Sequence, residues 1–116
     1  MALPTTATIL IGTFDRIRAL IAEGSVRISE HGYDEITSDG LLARELVEGV
    51  ENAEVIEDYP NYPKGPSVLL FQQTKDGRSV HVVWGIPAGH TSPAVLITGY
   101  LPDPGRWETE FKRRRK

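Results

Sequence analysis

The chain contains no cysteine, which excludes a disulfide framework, a thiolate metal site and a cysteine nucleophile. A reducing compartment is compatible with that composition. Long apolar runs are missing as well. The longest candidate, ATILIG near the start, follows no basic segment and leads straight into Phe14, Asp15 and Arg16, so it fits neither a signal peptide nor a spanning helix. There is no phosphate-cradling glycine loop, no Gly-x-Ser-x-Gly elbow, no paired-carboxylate motif, no internal repeat and no low-complexity linker. The expectation is a soluble, cytoplasmic protein with no membrane partner.

What is present is 116 residues, 40% hydrophobic, enough for one domain with its own core and too few for two. The net charge of −3 conceals an asymmetry. Lys112, Arg113, Arg114, Arg115 and Lys116 supply five positive charges, leaving 8 basic against 16 acidic residues elsewhere, a net of −8. Ten of the acids fall between residues 30 and 58, where Arg44 is the only base. That stretch repels a phosphate backbone and suits a basic partner.

Leu10, Phe14, Ile17 and Ile21 recur at helical intervals, with Gly24 placed to end the helix. Val26 and Ile28 flank Arg27 in a segment short enough for a brief edge strand, which would deliver Ser29 and His31 to the surface. Residues 32–49 read as helical but interrupted at Asp39 and Gly40, with Leu42, Leu46 and Val50 as the buried face. Val55 and Ile56 begin an alternating pattern, after which Pro60, Pro63 and Pro66 enforce an extended loop. Strands are predicted over 67–73, 79–86 and 94–100, the first two joined through Lys75, Asp76 and Gly77. Pro102 and Pro104 stop the last strand, and the remainder reads as a short helix or an extended tail. The fold class is therefore α+β: two N-terminal helices packed on a mainly antiparallel four-stranded sheet. The single domain divides into an N-terminal helix (1–24), a core (25–104) and a basic tail (105–116).

Period-two geometry puts Val80, Val82 and Trp84 on one face of their strand and His81 with Val83 on the other. If the first set lies under the helices, His81 looks onto an open face, with Arg78 at the strand entrance able to bend around the rim. A histidine near an arginine on such a face can bind a phosphate and shuttle a proton; the bland alternative is an ordinary cross-strand polar pair. His31 is a candidate acid or base at a predicted turn, or else a surface histidine helping to cap a helix. His90 reads as a turn residue. No two of the three histidines are spaced like ligands on one element, so neither a metal nor another cofactor is expected. Tyr100 and Trp107 either close a core edge or stack on a base. The 112–116 run, Arg113 and Arg114 included, either rides on phosphates or is a solvated tail.

The ordered set Ile28-Ser29-Glu30-His31, Val55-Ile56-Glu57-Asp58-Tyr59, Gly77-Arg78 with His81-Val82-Val83, and Ile97-Thr98-Gly99-Tyr100 with Pro102-Asp103-Pro104, Trp107 and Arg113-Arg114 resembles the domain of unknown function 4258 family from about Arg27 onward. The resemblance implies a small α+β domain related to the RelE and barnase-like bacterial ribonuclease toxins, with metal-independent RNA cleavage and an antitoxin partner. It marks His31, Arg78, His81 and Tyr100 as site candidates. In that reading one histidine takes the ribose 2′-hydroxyl proton and the other protonates the leaving oxygen. Arg78, with Arg113 or Arg114, stabilises the phosphate, and Tyr100 positions the nucleotide. The alternative is a non-catalytic protein-interaction module on the same scaffold.

Overall fold

The computed structural model describes residues 12–115; Leu10 and Lys116 lie outside them. Helix α1, Thr13–Ala22, buries Ile17 completely and packs Phe14 and Ile21 against the same core. Gly24 ends it at φ +81°, while Ser25 N–H reaches back to the Leu20 carbonyl at 2.9 Å, a closing turn that favours a residue without Cβ.

The brief segment Val26–Ile28 is strand β1. Ser29 then starts helix α2, Glu30–Ser38, by accepting a hydrogen bond from Gly32 N–H at 2.9 Å. The interruption predicted at Asp39 and Gly40 divides the helical stretch: Gly40 takes φ +71°, and α3 follows over Ala43–Glu48, leading into a 3₁₀ turn, Gly49–Asn52. One residue of the expected buried face is corrected here. Leu41 N–H bonds the Ile36 carbonyl and turns Leu41 inward to 3% exposure, leaving Leu42, the residue that caps α3, 64% exposed.

The sheet comprises β1, β2 (Glu54–Tyr59), β3 (Ser67–Gln73), β4 (Ser79–Gly85) and β5 (Ala94–Tyr100), in the order β1-β5-β4-β3-β2. It has five strands rather than four and is mixed, because β1 joins β5 in parallel while the other pairings are antiparallel. Gly77, at φ +87°, closes the β3–β4 hairpin. The helices cover one face, where Val68, Leu70, Val80, Val82, Trp84, Ala94 and Leu96 meet Ile17, Ile36 and Leu46. Across β2, β3 and β4, the register assigns Glu57, Leu69 and Val83 to the opposite face, together with Phe71 and His81. A bulge at Ile56 is what brings Glu57 onto that face opposite Leu69.

The C-terminal residues form neither a helix nor a solvated tail. Trp107 pairs with Arg114 in an antiparallel bridge. Glu108 N–H donates to the Arg113 carbonyl and Arg115 N–H to the Arg106 carbonyl, both at 2.8 Å. At the turn Phe111 adopts φ +61°, a conformation that costs a side chain with Cβ about 1–3 kcal/mol unless its surroundings fix it. We call residues 105–115 the strap. Among the described residues no helix is long and apolar enough to cross a membrane.

Candidate functional site at the second sheet face

The strap lies across the end of the sheet that carries His81. Alternation along β4 holds, with Val80, Val82 and Trp84 buried under the helices and His81 opposite, yet His81 is itself 0% exposed. The expected open face is covered at this point. The Trp107 ring stands edge-on to the imidazole at 4.3 Å and Tyr100 at 5.7 Å between centroids. Nε2–H of His81 donates to the Phe111 carbonyl at 2.6 Å, which fixes the tautomer and leaves Nδ1 buried without a partner among the described residues. Burial pushes the His81 pKa below its ordinary value, opposed by the Phe111 hydrogen bond and by Glu57. Its imidazole is thus a neutral anchor for the strap, and Phe111's strained backbone aims a carbonyl at it.

Charge completes the attachment. Arg114 places Nε 2.7 Å and Nη2 3.0 Å from the two carboxylate oxygens of Glu57, with its guanidinium 4.7 Å from the centroid of the Trp107 ring. Tyr59 also donates its hydroxyl to Glu57. These bonds, Arg114's foremost, hold the Glu57 carboxyl below the usual carboxylate value despite partial burial, so it is ionised at neutral pH. Lys112 meets Glu54 at 2.9 Å and stands 5.0 Å from the Phe71 ring centroid. Two acids of β2 therefore bind two bases of the chain's own terminus.

On the other flank, α2 presents His31, 81% exposed at its side chain, with Nε2 3.3 Å from Glu35. Glu35 accepts a hydrogen bond from Thr98, which shares its face of β5 with Tyr100. Helix α2 can approach this closely because Gly32 has no side chain: a Cβ there would lie 2.2 Å from the Ile97 carbonyl oxygen. Ser29, besides capping α2, donates to that same carbonyl at 2.8 Å. Tyr100 stands between the flanks. Burial raises its pKa, and the charges of Arg114, Glu57 and Glu35 all act on its phenol.

Of the residues named from sequence, His81, Tyr100, Trp107 and Arg114 gather at this end of the second face, whereas His31 is linked to it through Glu35 and Thr98. Arg78 does not join them. Its parity with Val80 sends it to the helix layer, where Nη1 donates to the Gly40 carbonyl at 3.4 Å and Nε to Asp76 at 3.2 Å. The guanidinium closest to this site's chemistry is Arg114's. Trp107, 3% exposed, closes a core edge and offers no free face for a base. Arg113 points to solvent and pairs with Glu108 at 3.6 Å. Glu57, Tyr59 and Glu35 were not among the sequence candidates. The available signal was the match between an acidic strand and a basic terminus. Among the described residues no group of three His, Asp or Glu side chains is arranged to hold a metal ion.

The arrangement offers an ionised carboxylate, a guanidinium and a phenol on one face, with an exposed imidazole on the flanking helix. A family model described as Domain of unknown function (DUF4258) matches residues 28–100, from the end of β1 to Tyr100, so the strap with Arg114 lies outside the matched span. No curated protein and no solved structure matches the chain.

Proposed function

This chain belongs to the DUF4258 family, and from that premise we propose that it is a metal-independent ribonuclease acting on single-stranded RNA across the second sheet face, in the manner of a bacterial toxin with a cognate antitoxin. The observation that carries this reading is the Glu57–Arg114 pair seated by Trp107 and His81 next to Tyr100, with the His31–Glu35 pair joined to the same strand through Thr98. Glu57, kept ionised, accepts the proton of a ribose 2′-hydroxyl. The 2′-oxygen attacks phosphorus, the bond from phosphorus to the 5′-oxygen breaks, and protonated His31 gives its proton to that departing oxygen. The products are a 2′,3′-cyclic phosphate and a 5′-hydroxyl, with Glu57 and His31 reset by exchange with water. Arg114 offsets the charge that builds on the phosphate, and Tyr100 positions the nucleotide. His81 acts through the strap, as a positioning residue for Arg114.

Incubation of the full chain with single-stranded RNA in excess chelator tests this. Cyclic-phosphate ends are expected, with losses of about 10²-fold or more for Glu57→Gln and for His31→Ala, the usual worth of a general base or acid. RNA left intact at high protein concentration overturns the proposal. The sealing of His81 under Trp107 favours a second reading, a non-catalytic protein-interaction module. Co-purification of a protein partner, together with uncut RNA, is its signature.

A further inference from the structure

The uncovered half of the second face holds a groove of about 320 Å³. Its floor is Gly85, Val95 and Ile97, and its rim carries Arg27, Lys64 and Tyr62. Arg27 reaches this face because Val26 and Ile28, its neighbours on β1, turn into the core. No acidic residue lines the groove, and among the described residues neither cation makes an ion pair. Both cations stand in a chain whose residues before 112 sum to −8. Elsewhere on this face, Lys112 and Arg114 are neutralised by Glu54 and Glu57.

The rim is built rather than loose. Gly65, at φ +128°, lies where a Cβ would be 1.9 Å from the Ile86 carbonyl oxygen. Its N–H bonds the Tyr62 carbonyl at 2.9 Å, and Ala88 N–H bonds the Lys64 carbonyl at 3.0 Å. The loop with Tyr62 and Lys64 is thereby clamped to the strand end. Gly85 keeps the floor flat, since a Cβ there would come within 3.0 Å of Ile97 Cδ1. Tyr62 is 51% exposed.

We propose that this groove binds one nucleotide unit of single-stranded RNA, its phosphate between Arg27 and Lys64 and its base on the apolar floor beside Tyr62. The inference rests on the RNA reading above and adds a binding subsite to it. Paired cations answer a phosphate, whereas the apolar floor and the aromatic edge answer an unstacked base. A duplex presents phosphates without a free base face, which makes a single strand the fitting occupant.

The test uses the full chain and a fluorescent six-nucleotide RNA with 2′-O-methyl riboses, which has no 2′-hydroxyl to attack and cannot be cleaved. Arg27→Glu with Lys64→Glu should weaken binding by about tenfold or more and flatten the salt dependence by roughly 0.7 log units per log unit, the value for one phosphate no longer neutralised on a single strand. Tyr62→Ala should cost about tenfold, as for one stacked base. Arg44→Gln, which removes an exposed cation elsewhere, should change little. Equal binding by the double charge variant and the parent overturns the groove, as does equal affinity for a duplex or a polyglutamate peptide. Groove-dependent binding of the methylated RNA beside uncut natural RNA leaves the subsite standing and removes the nuclease. Cleavage indifferent to Arg27 and Lys64 does the reverse.

Discussion

Replacing Gly32 with alanine is expected to destabilise this protein, against the ordinary rule for helices. Within a helix the change from glycine to alanine normally stabilises by about 1 kcal/mol. Gly32 sits in the first turn of α2 with its Cα facing β5, and an added Cβ would stand 2.2 Å from the Ile97 carbonyl oxygen, 2.8 Å from the Ile97 carbonyl carbon and 2.8 Å from Ser29 Oγ. Two of those three atoms are backbone and cannot rotate away. Real Cβ contacts essentially never fall below 3.0 Å, so α2 must retreat from the sheet by at least about 0.8 Å, the difference between 3.0 and 2.2 Å. Overpacking of this kind costs about 1–3 kcal/mol, and the Ser29–Ile97 hydrogen bond that the retreat disrupts adds about 1 kcal/mol. After subtracting the propensity gain of about 1 kcal/mol, a net loss of roughly 1–3 kcal/mol corresponds to a fall in Tm of roughly 4–12 °C for a domain of this size. Thermal unfolding followed by circular dichroism reads this directly. Thr37→Ala, at an exposed position of the same helix, is the control and should raise Tm slightly by propensity alone. A Gly32→Ala variant as stable as the parent, or more so, would refute the close seating of α2 on β5. It would also undo the placement of His31 and Glu35 that depends on that seating.

Two further outcomes follow from the strap. His81 is neutral in the folded chain because burial lowers its pKa below 6.5, whereas the unfolded chain takes up a proton near that value. Stability should therefore decline as pH falls below about 6.5, by at most about 1.4 kcal/mol per pH unit. Urea unfolding of His81→Gln should lack that slope; a parent equally stable at pH 7 and pH 5.5 would contradict the burial of the imidazole. Arg114→Ala should cost about 1 kcal/mol at pH 7, the scale of an exposed ion pair with aromatic stacking. Glu57, whose pKa Arg114 lowers from 4.5, contributes stability present above 4.5 and lost below it, so the cost should shrink toward pH 3. An undiminished cost at pH 3 would argue that Arg114 acts through packing alone.

Where residues carry strong local signals, the sequence conveys the structure. The stripe of Phe14, Ile17 and Ile21, the Asp39–Gly40 break, the Asp-Gly hairpin and the alternation Val80, Val82, Trp84 all express geometry that adjacent residues determine. What was not legible depends on contacts between distant segments. Parity sends His81 to the second face, but nothing near it in the chain says that residues 105–115 return to cover it. Arg78 looked available to His81 from spacing, yet its own parity and the Gly40 carbonyl hold it in the helix layer. Glu57 required both a bulge, which no local composition announces, and a partner 57 residues away. The site is thus readable as a set of residue types and unreadable as a set of neighbours.

The parallel docking of β1 on β5 also bears on how the molecule assembles. Strands β2 to β5 succeed one another as antiparallel neighbours, so they can zip together through short loops. Seating β1 and α2, by contrast, means joining Ser29 to Ile97 across 68 positions, a closure whose entropic cost is met only once the meander exists to receive it. A nascent chain halted before Ala94 has no rail on which to lay its N-terminal segment. The Glu35–Thr98 contact that ties the helix bearing His31 to the sheet depends on that same closure, so any activity that needs this helix in place reports a finished molecule.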